Sequence, residues 1–147
     1  MRALDSTPLA AATAFLTRLP IGPKPWARED QLLRSVPLFP LVGAGLGAAV
    51  GGAAVGLAHV LPAPIAGALA VALELALTGA LHVDGLADSA DGLAGRDRDH
   101  SLAIMRDHSL GAYGGAALTL DLLIKAAALG ALAEEGALLP VVAALAL

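Results

Sequence analysis

Between Val36 and Leu61 the chain reads VPLFPLVGAGLGAAVGGAAVGLAHVL, with no formal charge apart from a protonatable His59. A helix needs roughly 20 mostly apolar residues to cross the hydrocarbon core of a bilayer. Within that core only helices and closed barrels satisfy every backbone polar group. One run of this kind therefore narrows the fold sharply, and it is not alone. Ala63 to Leu81 is apolar except for Glu74, and Gly111 to Leu132 is apolar except for Asp121 and Lys125. A fourth run, Ala137 to Leu147, is too short to cross and reads as a span cut off inside a helix. Gly43, Gly47 and Gly51 recur every fourth residue, as do Gly52 and Gly56, the small-residue spacing of closely packed membrane helices. The prediction is an all-α, polytopic integral membrane bundle forming one domain over 1–147. Its spans lie at about 36–61, 63–81 and 111–132, with a truncated one at 137–147.

Composition supports this prediction. The chain is 57% hydrophobic and only 15% charged, whereas soluble domains are nearer 45–50% apolar. Its mean hydropathy is +0.75. It has no cysteine, which excludes disulfides and thiolate metal sites. A net charge of −4 and the lack of a basic patch with interleaved aromatics argue against nucleic acid as a partner.

Residues 1–35 read as an amphipathic cytoplasmic segment. The apolar stretch LAAATAFL within it fits an interfacial or re-entrant helix better than a short span. A signal peptide is set aside because FLTRLPIGPKPW offers no small-x-small cleavage site. Arg2, Arg18, Lys24, Arg28 and Arg34 precede the first span, and Arg96, Arg98 and Arg106 lie between the second and third. The turns at 62–64 and 133–136 carry no Lys or Arg. The positive-inside rule then places the N-terminus and an 82–110 loop in the cytoplasm.

That loop opens with HVDGLADSADG, which puts Asp84, Asp88 and Asp91 at i, i+4 and i+7. On a helix these fall within about 60° of one face. Like charges so placed repel, so something positive is expected among them. Hard oxygen ligands suit Mg²⁺ or Mn²⁺, which are commonly held by a few carboxylates and substrate phosphates. The rival reading is a solvated loop whose aspartates cap helices.

LTGALHVDGLADSADGL followed by SLAIMRDHSLGAYGGAALTLDLLIK resembles the cobalamin synthase family, adenosylcobinamide-GDP ribazoletransferase. Thr78, Gly79, His82, Asp84, Gly85, Leu86, Ala87, Asp88, Asp91 and Gly92 match its first motif. Ile104, Met105, Arg106, Asp107, Gly111, Tyr113, Gly114 and Lys125 match its second. FLTRLPIG and FPLVGAGLG resemble its opening segments.

The resemblance implies a multi-pass, Mg²⁺-dependent transferase of the bacterial inner membrane, acting in the last steps of vitamin B12 assembly. It would join adenosylcobinamide-GDP to α-ribazole, or its 5′-phosphate, and release GMP. Its partners would be those substrates and the lipid bilayer, with a homo-oligomer left open. Asp84, Asp88 and Asp91 would hold the metal. Arg96, Arg106 and Lys125 would hold phosphate oxygens. His82 or Asp107 would accept the hydroxyl proton. Asp107 also competes with Ser109 as the N-cap of the third span. Asp121 stands where the family pattern leads one to expect an apolar residue, and it would offset the charge of Lys125 one turn on. Glu74 would face the cavity near His82.

The family's chains are longer and add further helices. The expectation is therefore a fragment or degenerate paralogue with intact cytoplasmic motifs and weak or no activity. Two other classes compete. A CDP-alcohol phosphotransferase would need an Ala-Arg pair and a later double Asp that DGLADSADG lacks. A divalent-cation transporter or binding protein would use Glu74, Asp121 and the Asp cluster.

Overall fold

The computed structural model describes residues 7–21 and 29–146. Arg2, Lys24 and Arg28, which enter the charge asymmetry above, lie outside the described residues. Helices follow one another without a strand among the described residues: α1 (Pro8–Leu16), α2 (Glu29–Ser35), α3 (Phe39–Ala58), α4 (Ala63–Thr78), α5 (Leu81–Gly92), α6 (Arg98–Met105), α7 (Ala112–Glu134) and α8 (Leu138–Ala146). The protein is an all-α membrane protein. Asp30–Ala58 and Ala112–Glu134 are long and apolar enough to cross a bilayer, and α4 with α5 makes a third span if the bent pair is taken as one.

The first long helix starts earlier than the hydropathy alone indicates. It runs from Asp30 through a 3₁₀ turn at Val36–Leu38 before α3. Pro37 and Pro40 each lack an N–H donor, which accounts for a tightened turn at that point. α1, at nine residues, spans only about 13 Å at 1.5 Å per residue, and it packs against the start of α3. Phe15 stacks on Phe39 with ring centroids 5.6 Å apart, and Ala12 and Leu16 meet Val42 in a small core.

The main core forms where four helices converge. Val50 and Ala54 of α3, Ala70 and Val71 of α4, Leu129 and Ala133 of α7, and Val141 of α8 are buried together. In lipid there is little hydrophobic drive between helices, so close van der Waals approach has to hold them. Small residues provide that approach. A Cβ at Gly67 of α4 would strike the Ala126 carbonyl and stand 2.7 Å from the Gly130 nitrogen of α7. Gly47 and Gly51 face α8, where a Cβ would come within 2.7 Å of Val142 Cα and of Leu138 Cδ1 respectively. Gly52 and Gly56, the second glycine pair, have nothing within 4 Å of a Cβ. Only one of the two glycine rows is therefore a packing seam. The opposite side of α7 exposes Leu120, Leu123 and Ile124, a surface that a bilayer covers with acyl chains.

The second apolar run does not continue as one helix to Leu81. α4 ends at Thr78, and Gly79 (φ 66°) and Ala80 (φ 62°) follow in the left-handed region. They turn the chain by 92° into α5. Ala80 is the one non-glycine residue of positive φ among the described residues, a conformation that costs an L-residue about 1–2 kcal/mol. Arg18 braces this elbow. Its backbone N–H donates to the Leu77 carbonyl at 2.7 Å, and its side chain lies where a Cβ on Gly79 would stand. The 82–110 segment is thus mostly helical, made of α5 and α6, and only its turns are irregular.

Candidate functional site

α5 carries the acidic stretch and lies across the start of α7. Asp84, Asp88 and Asp91 do fall on one side of it. All three line a cleft of about 560 Å³, whose opposite wall is the turn between α6 and α7. That turn contributes Arg106, Asp107 and His108. Four carboxylates thus surround one guanidinium. Among the described residues Arg106 makes no ion pair, so its charge is open to a ligand.

The three aspartates have different surroundings. Asp84 is exposed and Asp88 half-buried. Asp91 is buried, 8% exposed. Its Oδ2 accepts the Gly111 N–H at 2.8 Å and its Oδ1 accepts the Gly114 N–H at 2.8 Å. These are orphan donors at the N-terminus of α7, whose N-cap, Gly111, has no side chain to cap with. A carboxylate there also meets the positive end of the helix dipole. The expectation that Asp107 or Ser109 caps this helix is thereby replaced, because the cap comes from a different helix. Asp107 Oδ1 instead accepts the Ser109 N–H at 3.1 Å and the Ser109 hydroxyl at 2.9 Å, which stiffens the turn that presents Arg106.

Other predicted residues lie elsewhere. His82 is exposed and does not line the cleft. It is two residues before Asp84, so it points about 160° away on a helix. Arg96 is exposed beyond the far end of α5, where its N–H donates to His100 Nδ1 at 3.2 Å. Lys125 lies in the interior of α7, away from the cleft. Its Nζ donates to Glu74 Oε1 of α4 at 3.2 Å and stands 3.4 Å from Asp121 Oδ2. Glu74 is buried; it pairs with Lys125 and does not line the cleft. Glu74 and Asp121, two carboxylates of the transporter reading, are thus both engaged by one ammonium and stand apart from the acidic cleft.

The sequence reading missed His108 in the cleft wall, although its position beside Asp107 was a usable signal. It also missed the pairing of Glu74 with Lys125. Two ionisable groups of opposite sign inside neighbouring spans were the available clue.

As a metal site, the triplet does not fit as a set. Among the described residues no three His, Cys, Asp or Glu side chains are arranged to hold an ion, and both oxygens of Asp91 are engaged. Asp84 and Asp88 remain. Mg²⁺ usually takes one or two carboxylates and completes its shell with water and substrate phosphate, and a pair one turn apart fits that smaller demand.

A membrane-helical protein with an acidic, arginine-bearing cleft at one end of its spans is the class that this fold and site define. The chain matches the Cobalamin-5-phosphate synthase family over residues 8–147, and it belongs to that family. It is 45% identical over 133 residues to an adenosylcobinamide-GDP ribazoletransferase of Xanthobacter autotrophicus, covering 84% of this chain and 49% of that one. A protein of the same name from Rhizobium etli is 43% identical, covering 92% and 54%. One from Escherichia coli is 40% identical, covering 92% and 56%. The chain thus spans about half the length of these curated relatives. No solved structure matches it significantly.

Proposed function

We propose that the cleft between α5 and the α6–α7 turn is the phosphoryl-transfer site of an adenosylcobinamide-GDP ribazoletransferase, facing the cytoplasm from the bacterial inner membrane. The observation that carries this reading is the meeting of Asp84, Asp88, Arg106 and His108 around one cavity. In the reaction a ribose hydroxyl of α-ribazole, or of its 5′-phosphate, attacks the corrinoid-side phosphorus of the diphosphate. The bond from that phosphorus to the bridging oxygen breaks. GMP leaves with the bridging oxygen, and the hydroxyl proton passes to a base.

The attack brings an electron-rich oxygen to a negatively charged group and builds charge on the leaving oxygen. Cations that neutralise both are the usual source of acceleration. Arg106 binds the diphosphate from the turn that Asp107 and Ser109 brace. Asp84 and Asp88 are the residues that would hold Mg²⁺. When bound, that ion supplies charge neutralisation to the leaving group. His108 takes the proton, because it lines the cleft and Asp107 is partly engaged by Ser109. The surplus of carboxylates over cations in the cleft supports the demand for an added positive ion.

The test uses membranes containing this chain, supplied with adenosylcobinamide-GDP, α-ribazole and graded Mg²⁺, with GMP release as the readout. Asp84→Asn and Asp88→Asn should each lower release by at least about 100-fold, the range for losing a charged transition-state contact. Wild-type rates in both variants at limiting Mg²⁺, or no GMP release by the parent chain, would overturn the reading.

A further inference from the structure

The acidic triplet divides into two functions. Building on the phosphoryl-transfer reading above, we infer that Asp91 is a positioning residue: it locks α5 to the start of α7 and so sets the width of the cleft, and it is not an ion ligand.

The seat that holds it is specific. Its two oxygens each receive one N–H, from Gly111 at the N-cap and from Gly114 three residues on. The Gly114 N–H is the donor that an ordinary N-cap aspartate would satisfy within its own helix, and the Gly111 N–H is the one that the N3 side chain of a capping box would reach back to. Here the acceptor arrives from a helix 20 residues earlier in the chain. The glycines make room for it. A Cβ on Gly111 or on Gly114 would strike the Asp91 carboxylate, and one on Gly114 would also stand 2.9 Å from the Ala87 carbonyl. A neutral amide in its place would offer one oxygen and an NH2 donor, and so could not receive one N–H on each side-chain terminal atom.

The consequence is mechanical. α5 carries Asp84 and Asp88 on one wall of the cleft, and the turn that leads into Gly111 carries Arg106 and His108 on the other. Among the described residues these two are the hydrogen bonds that join α5 to the start of α7. Asp84 and Asp88, by contrast, have no hydrogen bond from their side chains among the described residues, and they face the opening. The negative charge of Asp91 is compensated by the α7 terminus, and those of Asp84 and Asp88 are left for an ion.

The experiment uses the whole chain in lipid nanodiscs, ¹⁵N-labelled, with Mn²⁺ plus GDP as the probe. Amide exchange at Gly111 and Gly114 is followed by NMR and Mn²⁺ binding by EPR. Asp91→Asn should speed exchange at those amides by at least about tenfold, the loss of a charged cap, yet still bind Mn²⁺ with less than a tenfold loss. Gly114→Ala, which keeps the carboxylate but fills its seat, should behave the same way. Asp84→Asn and Asp88→Asn should leave the amides protected and lose Mn²⁺ binding by more than tenfold.

The inference is overturned if Asp91→Asn weakens Mn²⁺ binding as far as Asp84→Asn does. It is equally overturned if the Gly111 and Gly114 amides keep their protection in Asp91→Asn. If the parent chain binds no Mn²⁺ with GDP, the metal reading of the cleft fails by itself. The amide exchange then decides the role of Asp91, with faster exchange upholding it.

Discussion

Lys125 shows how a single residue changes meaning once its neighbours are known. A charge inside a span costs about 2.5–3.5 kcal/mol at the helix centre on insertion scales, so it needs a partner. Two carboxylates stand within 3.4 Å of its ammonium, but only Glu74 accepts a hydrogen bond from it. That bond joins α4 to α7. Asp121 lies one turn away on the same helix, and its Oδ2 is buried without a hydrogen-bond partner. The two acids should therefore differ in effect. Glu74→Gln should destabilise the folded chain by roughly 1–2 kcal/mol, near the upper range for polar contacts between membrane helices. Asp121→Leu should change stability by less than about 0.5 kcal/mol, because it leaves a neutral Lys125–Glu74 pair. Unfolding titrations from detergent micelles into SDS would measure both. Equal losses would mean that both acids hold the ammonium alike, and a larger loss in Asp121→Leu that Asp121 is the main partner.

At the scale of elements, the small residues decide which helix faces meet. The Gly43, Gly47 and Gly51 row was legible as a packing stripe, and it does face α8 at Gly47 and Gly51. The overlapping pair Gly52 and Gly56 carries the same sequence signal but faces open space. Spacing alone does not distinguish the two, since which row is covered depends on where α8 returns. Gly51→Leu should therefore detach α8 from α3, and Gly52→Leu should leave it in place. Disulfide trapping between cysteines introduced on α3 and α8 reads this directly: capture should fall several-fold in the first variant and hold in the second, in line with the close approach that small residues permit. The elbow at Gly79 and Ala80 belongs to this scale too. The apolar run shows no break there, because a bend made by two left-handed residues leaves hydropathy unchanged. Gly79 was the one local sign of a helix end.

For the whole molecule, the hairpin of α3 and α4 returns the chain to the side from which it came. α5 and α6 then lie at the same end as the N-terminal segment, and α7 crosses back. The basic residues on that side, including Arg96, Arg98 and Arg106, are what the positive-inside rule reads as cytoplasmic, and that is the orientation proposed above. Asp99 and Glu135 are both exposed, at opposite ends of the bundle. A cysteine at Asp99 should resist an impermeant thiol reagent in intact cells and react after lysis, whereas one at Glu135 should react from outside. The reverse pattern would invert the orientation and remove the cleft from cytoplasmic nucleotides.

The long apolar runs, their few charges and the Asp spacing were enough to define a helical membrane protein with an acidic face, because hydrophobic length and helical period are local properties. The Asp spacing located Asp84 and Asp88 at what became the cleft, and the resemblance to the family's motifs added Arg106 and Asp107. Neither located the partners of Asp91, Glu74 and Lys125, which are supplied by helices far away in the chain. Asp91 looked equivalent to Asp84 and Asp88 by spacing, and only the arrival of the α7 N-terminus gave it two N–H donors. Lys125 matched a motif beside the acidic stretch, and only the packing of α4 on α7 turned it toward Glu74. A side chain's chemistry depends on the donors and charges within a few ångströms, and in this chain those were set by how the helices crossed.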